Sequence, residues 1–142
     1  MTLFVWDAKY KLNIAEIDRQ HQKLFALFND LYNAMQDGQG HAVIDKVLTG
    51  VVDYTAYHFE AEEKLLRQHG YVDEALHRAE HAKLAEQAKA LVAKHRAGEA
   101  KVTLATLKFL CDWLNNHILG SDKKFAPFLI ARGVRGRNEA GG

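Results

Sequence analysis

The apolar residues of this chain recur at alternating spacings of three and four, which is typical of one buried face of an α-helix. In the first such stretch, near residues 16–36, His21 takes a stripe position where a leucine would be expected. The same periodicity predicts long helices near residues 42–68, 72–96 and 103–120, and a short one near 122–132. The first stripe comprises Ile14, Ile17, His21, Leu24, Phe28, Leu31 and Met35.

Polar residues also interrupt the apolar stripes of the other three long helices. His58 and Glu62 lie in the second stripe, His77 and His81 begin the third, and His117 ends the fourth. A buried imidazole or carboxylate costs free energy unless it is partnered, so these positions indicate a specific role. The apolar positions of these stripes are Ile44, Val47, Val51, Tyr54 and Leu65, then Leu84, Ala88 and Leu91, then Leu107, Leu110 and Leu114.

Short turns at residues 37–40, 69–71 and 97–99 separate the long helices. Helices joined by such turns run antiparallel. We therefore predict an all-α, up-down-up-down antiparallel four-helix bundle with an N-terminal arm and a short C-terminal helix. The arm, residues 1–13, is expected to pack Phe4, Trp6 and Tyr10 against the bundle. Residues 1–132 form the predicted bundle domain, and the glycine-rich residues 133–142 a flexible tail.

The antiparallel arrangement predicts that the polar residues of the four stripes meet. In a helical hairpin, residues equally distant from the turn lie at the same height, and the five histidines and Glu62 satisfy this condition approximately. Asp122 follows His117 by five residues, which on a continuous α-helix would turn it away from the site. We expect Gly120 to end the fourth helix in a left-handed conformation and so to redirect Asp122 inward.

Five imidazoles and two carboxylates in one layer indicate a metal site with two ions. One zinc ion takes four ligands, and calcium and magnesium take oxygen ligands. Two borderline transition ions bridged by the carboxylates, iron or manganese, fit the set best. The nitrogen-rich donors favour the reduced metal, which favours reversible O2 binding over oxidation of a substrate. The other histidines, His41, His69 and His95, are interpreted as solvated or capping residues.

Composition excludes several other classes of protein. The 142 residues are 48% hydrophobic and 26% charged, with a net charge of +1, so we expect neither a nucleic-acid partner nor an anionic membrane surface. No window resembles a signal peptide or a membrane span. The single cysteine, Cys111, is interpreted as a core residue in a reducing compartment. We therefore expect a cytoplasmic monomer.

The order and spacing of the seven polar residues resemble the hemerythrin signature, and the segment 17–21 with Trp6 resembles the bacterial single-domain members, the bacteriohemerythrins. The resemblance covers roughly residues 6–130. It implies two iron ions bridged by Glu62, Asp122 and an oxo or hydroxo group, with O2 binding at an open position on one ion. One iron would take His77, His81 and His117, and the other, with the open position, His21 and His58.

An apolar pocket must then surround the O2 position, and five residues near the ligands in sequence are its candidates. Leu114 is expected both to pack in the core and to act as a gate that excludes water, whereas Phe25 fits a core role better. The predicted pocket residues are Phe25, Phe59, Trp113, Leu114 and Ile118.

The resulting hypothesis is a non-enzymatic oxygen carrier, store or delivery protein whose partners are O2 and an oxygen-consuming enzyme. Three alternatives stay open at this stage. The same scaffold can serve a di-iron enzyme of the peroxidase, nitric-oxide or iron-repair type, or an oxygen or redox sensor. A structural zinc bundle is the third, and the number of ligands argues against it.

Overall fold

Four long helices and one short helix form the fold in a computed structural model that describes residues 4–98 and 102–134. The helices are α1 (Ala15–Gln36), α2 (His41–Gln68), α3 (Glu74–Arg96), α4 (Leu104–His117) and α5 (Lys123–Ala131). α2 packs against α1 and α3, and α4 packs against α1. The predicted helical bundle is confirmed, and no strand occurs in the described part of the chain.

The N-terminal arm is fixed to α1 and α4 by polar and aromatic contacts. Buried Asp18 accepts hydrogen bonds from the backbone N–H groups of Leu12 (2.8 Å) and Asn13 (3.1 Å). The Phe4 ring stacks on Phe25 with centroids 3.6 Å apart. Further along the arm a 3-10 turn (Ala8–Tyr10) brings the Tyr10 hydroxyl to Asn115, to which it donates at 2.6 Å. The prediction that the arm packs on the bundle is thus correct.

The buried face of α2 differs from the predicted stripe by one position along part of its length. Leu48, Thr55 and Leu66 are buried, whereas their predicted neighbours Val47, Tyr54 and Leu65 are only partly so. Thr55 can occupy the interior because its hydroxyl donates to the carbonyl of Val51 at 2.7 Å. A helix packed against neighbours on two sides buries a wider face than a single heptad seam.

The expected end of the fourth helix at Gly120 is wrong. A π-helical segment (Ile118–Asp122) continues α4 directly into α5, and Gly120 does not have the positive φ of a left-handed cap. A π-helix closes its hydrogen bonds between residues five apart. Residues separated by five therefore lie above one another, as residues separated by four do in an α-helix. The inserted residue turns Asp122 onto the face that carries His117.

Two apolar clusters lie in the bundle interior. The larger one is built around Leu24, Leu31 and Leu107, and the smaller one around Leu66 and Phe125. At the end of α5 the backbone N–H of Val134 donates to the carbonyl oxygen of Leu129. Most of the predicted tail, residues 135–142, lies outside the described residues. None of the described helices combines the length and hydropathy that a membrane crossing requires.

Candidate metal centre

All seven predicted ligands meet in one buried cluster in the bundle interior. None of these side chains is more than 5% exposed. Their ligand atoms form two groups, each with all atoms within 4.8 Å of one another, and Glu62 belongs to both. The larger group contains Glu62, His77, His81, His117 and Asp122, and the smaller contains His21, His58 and Glu62.

Glu62 on α2 directs its two carboxylate oxygens toward different imidazoles. Its Oε1 lies 2.6 Å from Nε2 of His77 and 3.2 Å from Nε2 of His81, both on α3. Its Oε2 lies 3.0 Å from Nε2 of His58 and 3.6 Å from Nε2 of His21. The carboxylate thus spans the gap between the two groups of histidines.

Asp122, at the end of the π-helical segment, divides its oxygens in the same way. Oδ1 lies 3.1 Å from Nε2 of both His77 and His117, whereas Oδ2 lies 3.2 Å from Nε2 of His21. Each carboxylate therefore presents one oxygen to a three-histidine group and the other to a two-histidine group. This is the geometry that two bridging carboxylates need in order to hold a pair of metal ions.

Three of the imidazoles are oriented by a hydrogen bond on the ring nitrogen that faces away from the cluster. Nδ1–H of His58 donates to the amide oxygen of Gln20 at 2.6 Å, and that of His81 to Glu63 at 2.9 Å. Such contacts leave Nε2 free to bind a metal. The third contact joins Nδ1 of His117 to Oε1 of Glu80 at 2.9 Å.

The cluster of the metal-free chain carries protons where metal ions would bind. Burial lowers the pKa of His21, but the nearby carboxylates of Asp122 and Glu62 outweigh burial and raise it from 6.5 to about 9. The pKa of His77 rises to about 10, because the same carboxylates outweigh its burial. The pKa of His58 is lowered instead, since burial dominates there. At neutral pH at least two imidazolium ions thus offset the two carboxylates.

Both carboxylates of the cluster remain ionised despite complete burial. Burial would raise the pKa of Glu62, but imidazoles, His58 foremost, hold it well below its usual range. Burial and the charge of Glu62 would likewise raise the pKa of Asp122, but the contacts with His117 and His21 lower it. Anionic oxygens beside neutral or displaceable imidazoles are suitable donors for a transition metal.

The hydrogen-bond inventory of the cluster also fits a metal centre. Oε2 of Glu62, both oxygens of Asp122 and both ring nitrogens of His21 are buried and make no properly directed hydrogen bond among the described residues. Unsatisfied buried polar atoms cost free energy. Coordination of metal ions between the carboxylates would satisfy most of these atoms at once, so the residues present fit a di-metal group.

The five predicted pocket residues belong to the larger apolar cluster or pack against it, and two of them contact the ligands. Phe59 stacks on His81 with ring centroids 3.7 Å apart, and Trp113 stacks on His117 at 4.7 Å. These two aromatic rings therefore cover the three-histidine group. Leu114 and Ile118 are buried, whereas Phe25 packs against the arm. Their function as an O2 pocket stays a prediction.

Two of the three remaining histidines lie where the sequence predicts, and one does not. His41 begins α2 and is exposed, and His69 ends the same helix. His95, interpreted as solvated or capping, is instead only 5% exposed. It stacks on the ring of His41 at 4.1 Å and donates from Nε2 to the His41 carbonyl oxygen at 3.2 Å. Its position continues the predicted stripe of α3, four residues after Leu91, so the periodicity does contain a signal for its burial.

Comparison with known proteins identifies the family to which this fold and metal-ligand cluster belong. The sequence profile of the Hemerythrin HHE cation binding domain matches residues 12–129. The chain belongs to the hemerythrin family. A bacteriohemerythrin of Methylococcus capsulatus is 39% identical over 132 residues, which cover 92% of this chain and all of that protein. A hemerythrin-like protein of Naegleria gruberi is 33% identical over 126 residues, covering 89% and 93% of the two chains.

Solved structures of hemerythrins agree with this assignment. The crystal structure of a wild-type hemerythrin, 38% identical, matches with a TM-score of 0.85 over 88% of this chain and 96% of that one. A hemerythrin carrying a leucine-to-alanine substitution matches with a TM-score of 0.86, also at 38% identity, over 89% and 97%. The hemerythrin family binds a di-iron centre, and this chain presents a cluster of histidines and carboxylates that can hold metal.

The outer hydrogen-bond partners of the histidines, Gln20, Glu63 and Glu80, were not predicted from the sequence. Each is adjacent in sequence to a predicted ligand, which is a signal that the sequence does contain. However, each contacts a histidine of a different helix, so adjacency alone does not identify the partner.

Proposed function

We propose that the protein binds O2 reversibly at a non-haem, carboxylate-bridged di-iron centre and serves as an oxygen carrier, store or delivery protein. The observation that carries this proposal is the division of the Glu62 and Asp122 oxygens between two groups of histidines. A bridged pair of metal ions requires this division, whereas a single ion with four ligands would leave several of the seven side chains unused.

The proposed ligand sets differ in size, and this difference supports a binding position for O2. His77, His81 and His117 would hold one iron, and His21 and His58 the other, with both carboxylates shared. The second iron would have one protein nitrogen fewer and hence an open position. When bound, the two ferrous ions supply the two electrons that reversible O2 binding requires.

The surroundings of the cluster favour binding over catalysis. Leu114 and Ile118 are at most 2% exposed, so water would be excluded beside the ligands. Among the described residues, the ionisable groups in contact with His21 or His58 are the bridging carboxylates and each other. A general acid poised to protonate bound oxygen would need to stand there. If the net charge of the centre stays the same when O2 binds, a dry pocket opposes neither the uptake nor the release of O2.

The proposal extends to the biological setting of the protein. We propose that the protein acts in the cytoplasm as a monomer, since its free cysteine, Cys111, is buried and would stay reduced there. An oxygen-consuming enzyme is the proposed recipient of the O2. Transfer would need no new chemistry, because release simply reverses binding.

Purified protein tests the function directly. We expect two iron ions per chain, and a colour that appears with air, disappears under argon and returns over many cycles. A colourless protein that retains zinc instead would refute the proposal. Steady peroxide-dependent oxidation of an added reductant, without reversible colour change, would establish the enzymatic alternative. The variant Asp122→Asn serves as the control, since it should abolish the cycle.

A further inference from the structure

The outer hydrogen-bond partners follow a regular order around the bundle. Each one is adjacent in sequence to a proposed ligand on its own helix, yet it contacts a histidine on the next helix. In this way each of the first three helices supports a ligand on the next one. The contacts join Gln20 of α1 to His58 of α2, Glu63 of α2 to His81 of α3, and Glu80 of α3 to His117 of α4.

These partners differ in charge between the two ends of the cluster. Carboxylates, those of Glu63 and Glu80, support two members of the three-histidine group. A neutral amide, that of Gln20, supports His58 in the two-histidine group. The orientation of the amide is fixed, because its nitrogen donates to Glu16 at 3.2 Å and its oxygen therefore faces the imidazole. Nδ1 of His21 makes no hydrogen bond among the described residues.

The π-helical segment also takes part in this arrangement. The hydroxyl of Ser121 donates to Oε1 of Glu80 at 2.6 Å, and the same oxygen accepts from Nδ1 of His117. The hydroxyl thus holds the carboxylate against the imidazole, although the Glu80 side chain is 44% exposed. The segment that turns Asp122 inward therefore also fixes an outer carboxylate.

An imidazole that donates to a carboxylate is a stronger electron donor than one that donates to an amide, and it stabilises a more highly charged metal ion. We propose that Glu63 and Glu80 are positioning residues that lower the reduction potential of the metal ion at the three-histidine end, while Gln20 keeps the two-histidine end electron-poor. This inference rests on the metal ligands of the proposed function but not on O2 binding. The charge difference would make the two ions electronically unequal before any ligand arrives.

Isosteric exchange of charge tests the inference. Glu63→Gln and Glu80→Gln keep a hydrogen-bond acceptor for the imidazole but remove its charge, and Gln20→Glu makes the opposite change at the other end. Glu60→Gln is the matched control, because it removes one carboxylate from the exposed side of α2. The measurements are the midpoint potential of the iron-loaded protein under argon, and the affinity of the metal-free protein for Co(II).

We expect the midpoint potential to rise in both Glu→Gln variants, to fall in Gln20→Glu and to stay unchanged in the control. Co(II) should bind roughly tenfold to hundredfold more weakly to Glu63→Gln and Glu80→Gln. Shifts of one sign in all three variants, or a control that shifts equally, would overturn the inference. Because Gln20→Glu predicts a fall, a variant that merely loses structure cannot imitate the pattern. No measurement involves O2, so failure of reversible oxygenation would leave this test intact.

Discussion

Metal binding to the metal-free protein should release protons, and the structure gives their number. A histidine must be neutral to bind a metal through nitrogen. With pKa values of about 9 and about 10, His21 and His77 are both protonated at pH 7. Glu62 and Asp122 are already ionised, because their pKa values are lowered, and the pKa of His58 is lowered too. Occupation of the whole site should therefore displace at least two protons per chain.

The pH dependence of metal affinity follows from this proton count. Deprotonating the two imidazoles at pH 7 costs about 7 kcal/mol in total, at about 1.36 kcal/mol for each unit between the pH and the pKa. Raising the pH by one unit lowers this cost by about 2.7 kcal/mol, which is one unit for each of the two protons. Overall affinity should therefore increase roughly 100-fold from pH 7 to pH 8. The increase should slow as the pH passes the pKa of His21 and then that of His77.

Calorimetric titration of the metal-free protein with Co(II), in buffers of different ionisation enthalpy, measures the protons released. His77→Gln is the matched control, since it removes one displaceable proton and should lower the count by about one. Burial lowers the pKa of His81, but its contacts with Glu62 and Glu63 outweigh burial and raise it, so release of a third proton would also agree with this mechanism. Release of fewer than one proton at pH 7, or an affinity independent of pH between 6 and 8, would refute it.

Three further predictions concern single residues. Leu114→Ala should destabilise the fold by about 2–5 kcal/mol, which denaturant titration measures. By admitting water it should also accelerate autoxidation of the oxygenated protein, which is followed as decay of the coloured form. An unchanged decay rate would contradict the role of Leu114 as a gate. Asp122→Asn should reduce the iron content below two ions per chain in a colorimetric assay, whereas full loading with an unchanged spectrum would show that the bridge is dispensable. Cys111, buried and with its pKa raised to about 12 by burial, should resist alkylation at pH 8 until the protein is unfolded, and rapid labelling of the native protein would contradict this burial.

The His117–Asp122 pair shows where sequence reasoning reached its limit. A spacing of five residues is incompatible with one face of a regular α-helix, so the sequence was sufficient to require a break in the helix. It pointed to the wrong kind of break. A left-handed glycine and a π-helical insertion both realign the chain, but only the insertion lets α4 run directly into α5, whose Phe125 and Leu129 lie in the smaller apolar cluster.

His95 and Thr55 show the same limit in the helix interiors. Periodicity predicts a stripe of buried positions, but the stripe widens where a helix has two neighbours. Thr55 is buried because it bonds to its own helix, and His95 because it meets His41 at the far end of α2. The Thr55 bond lies within α2, whereas the partner of His95 lies on another helix and cannot be read from the pattern of α3.

The sequence by itself determined the four helices, their antiparallel order and the seven polar residues that interrupt their apolar faces, because each of these features depends on local periodicity and short turns. Only the tertiary structure decided which oxygen of Glu62 and of Asp122 faces which histidines, and that the neighbours of the ligands support imidazoles on the next helix. Those contacts join residues that are distant in the sequence, as His21 and Asp122 are, and they depend on the rotation of each helix about its axis. A periodic pattern fixes that rotation only to within a residue or two, whereas a hydrogen bond requires a fraction of an ångström.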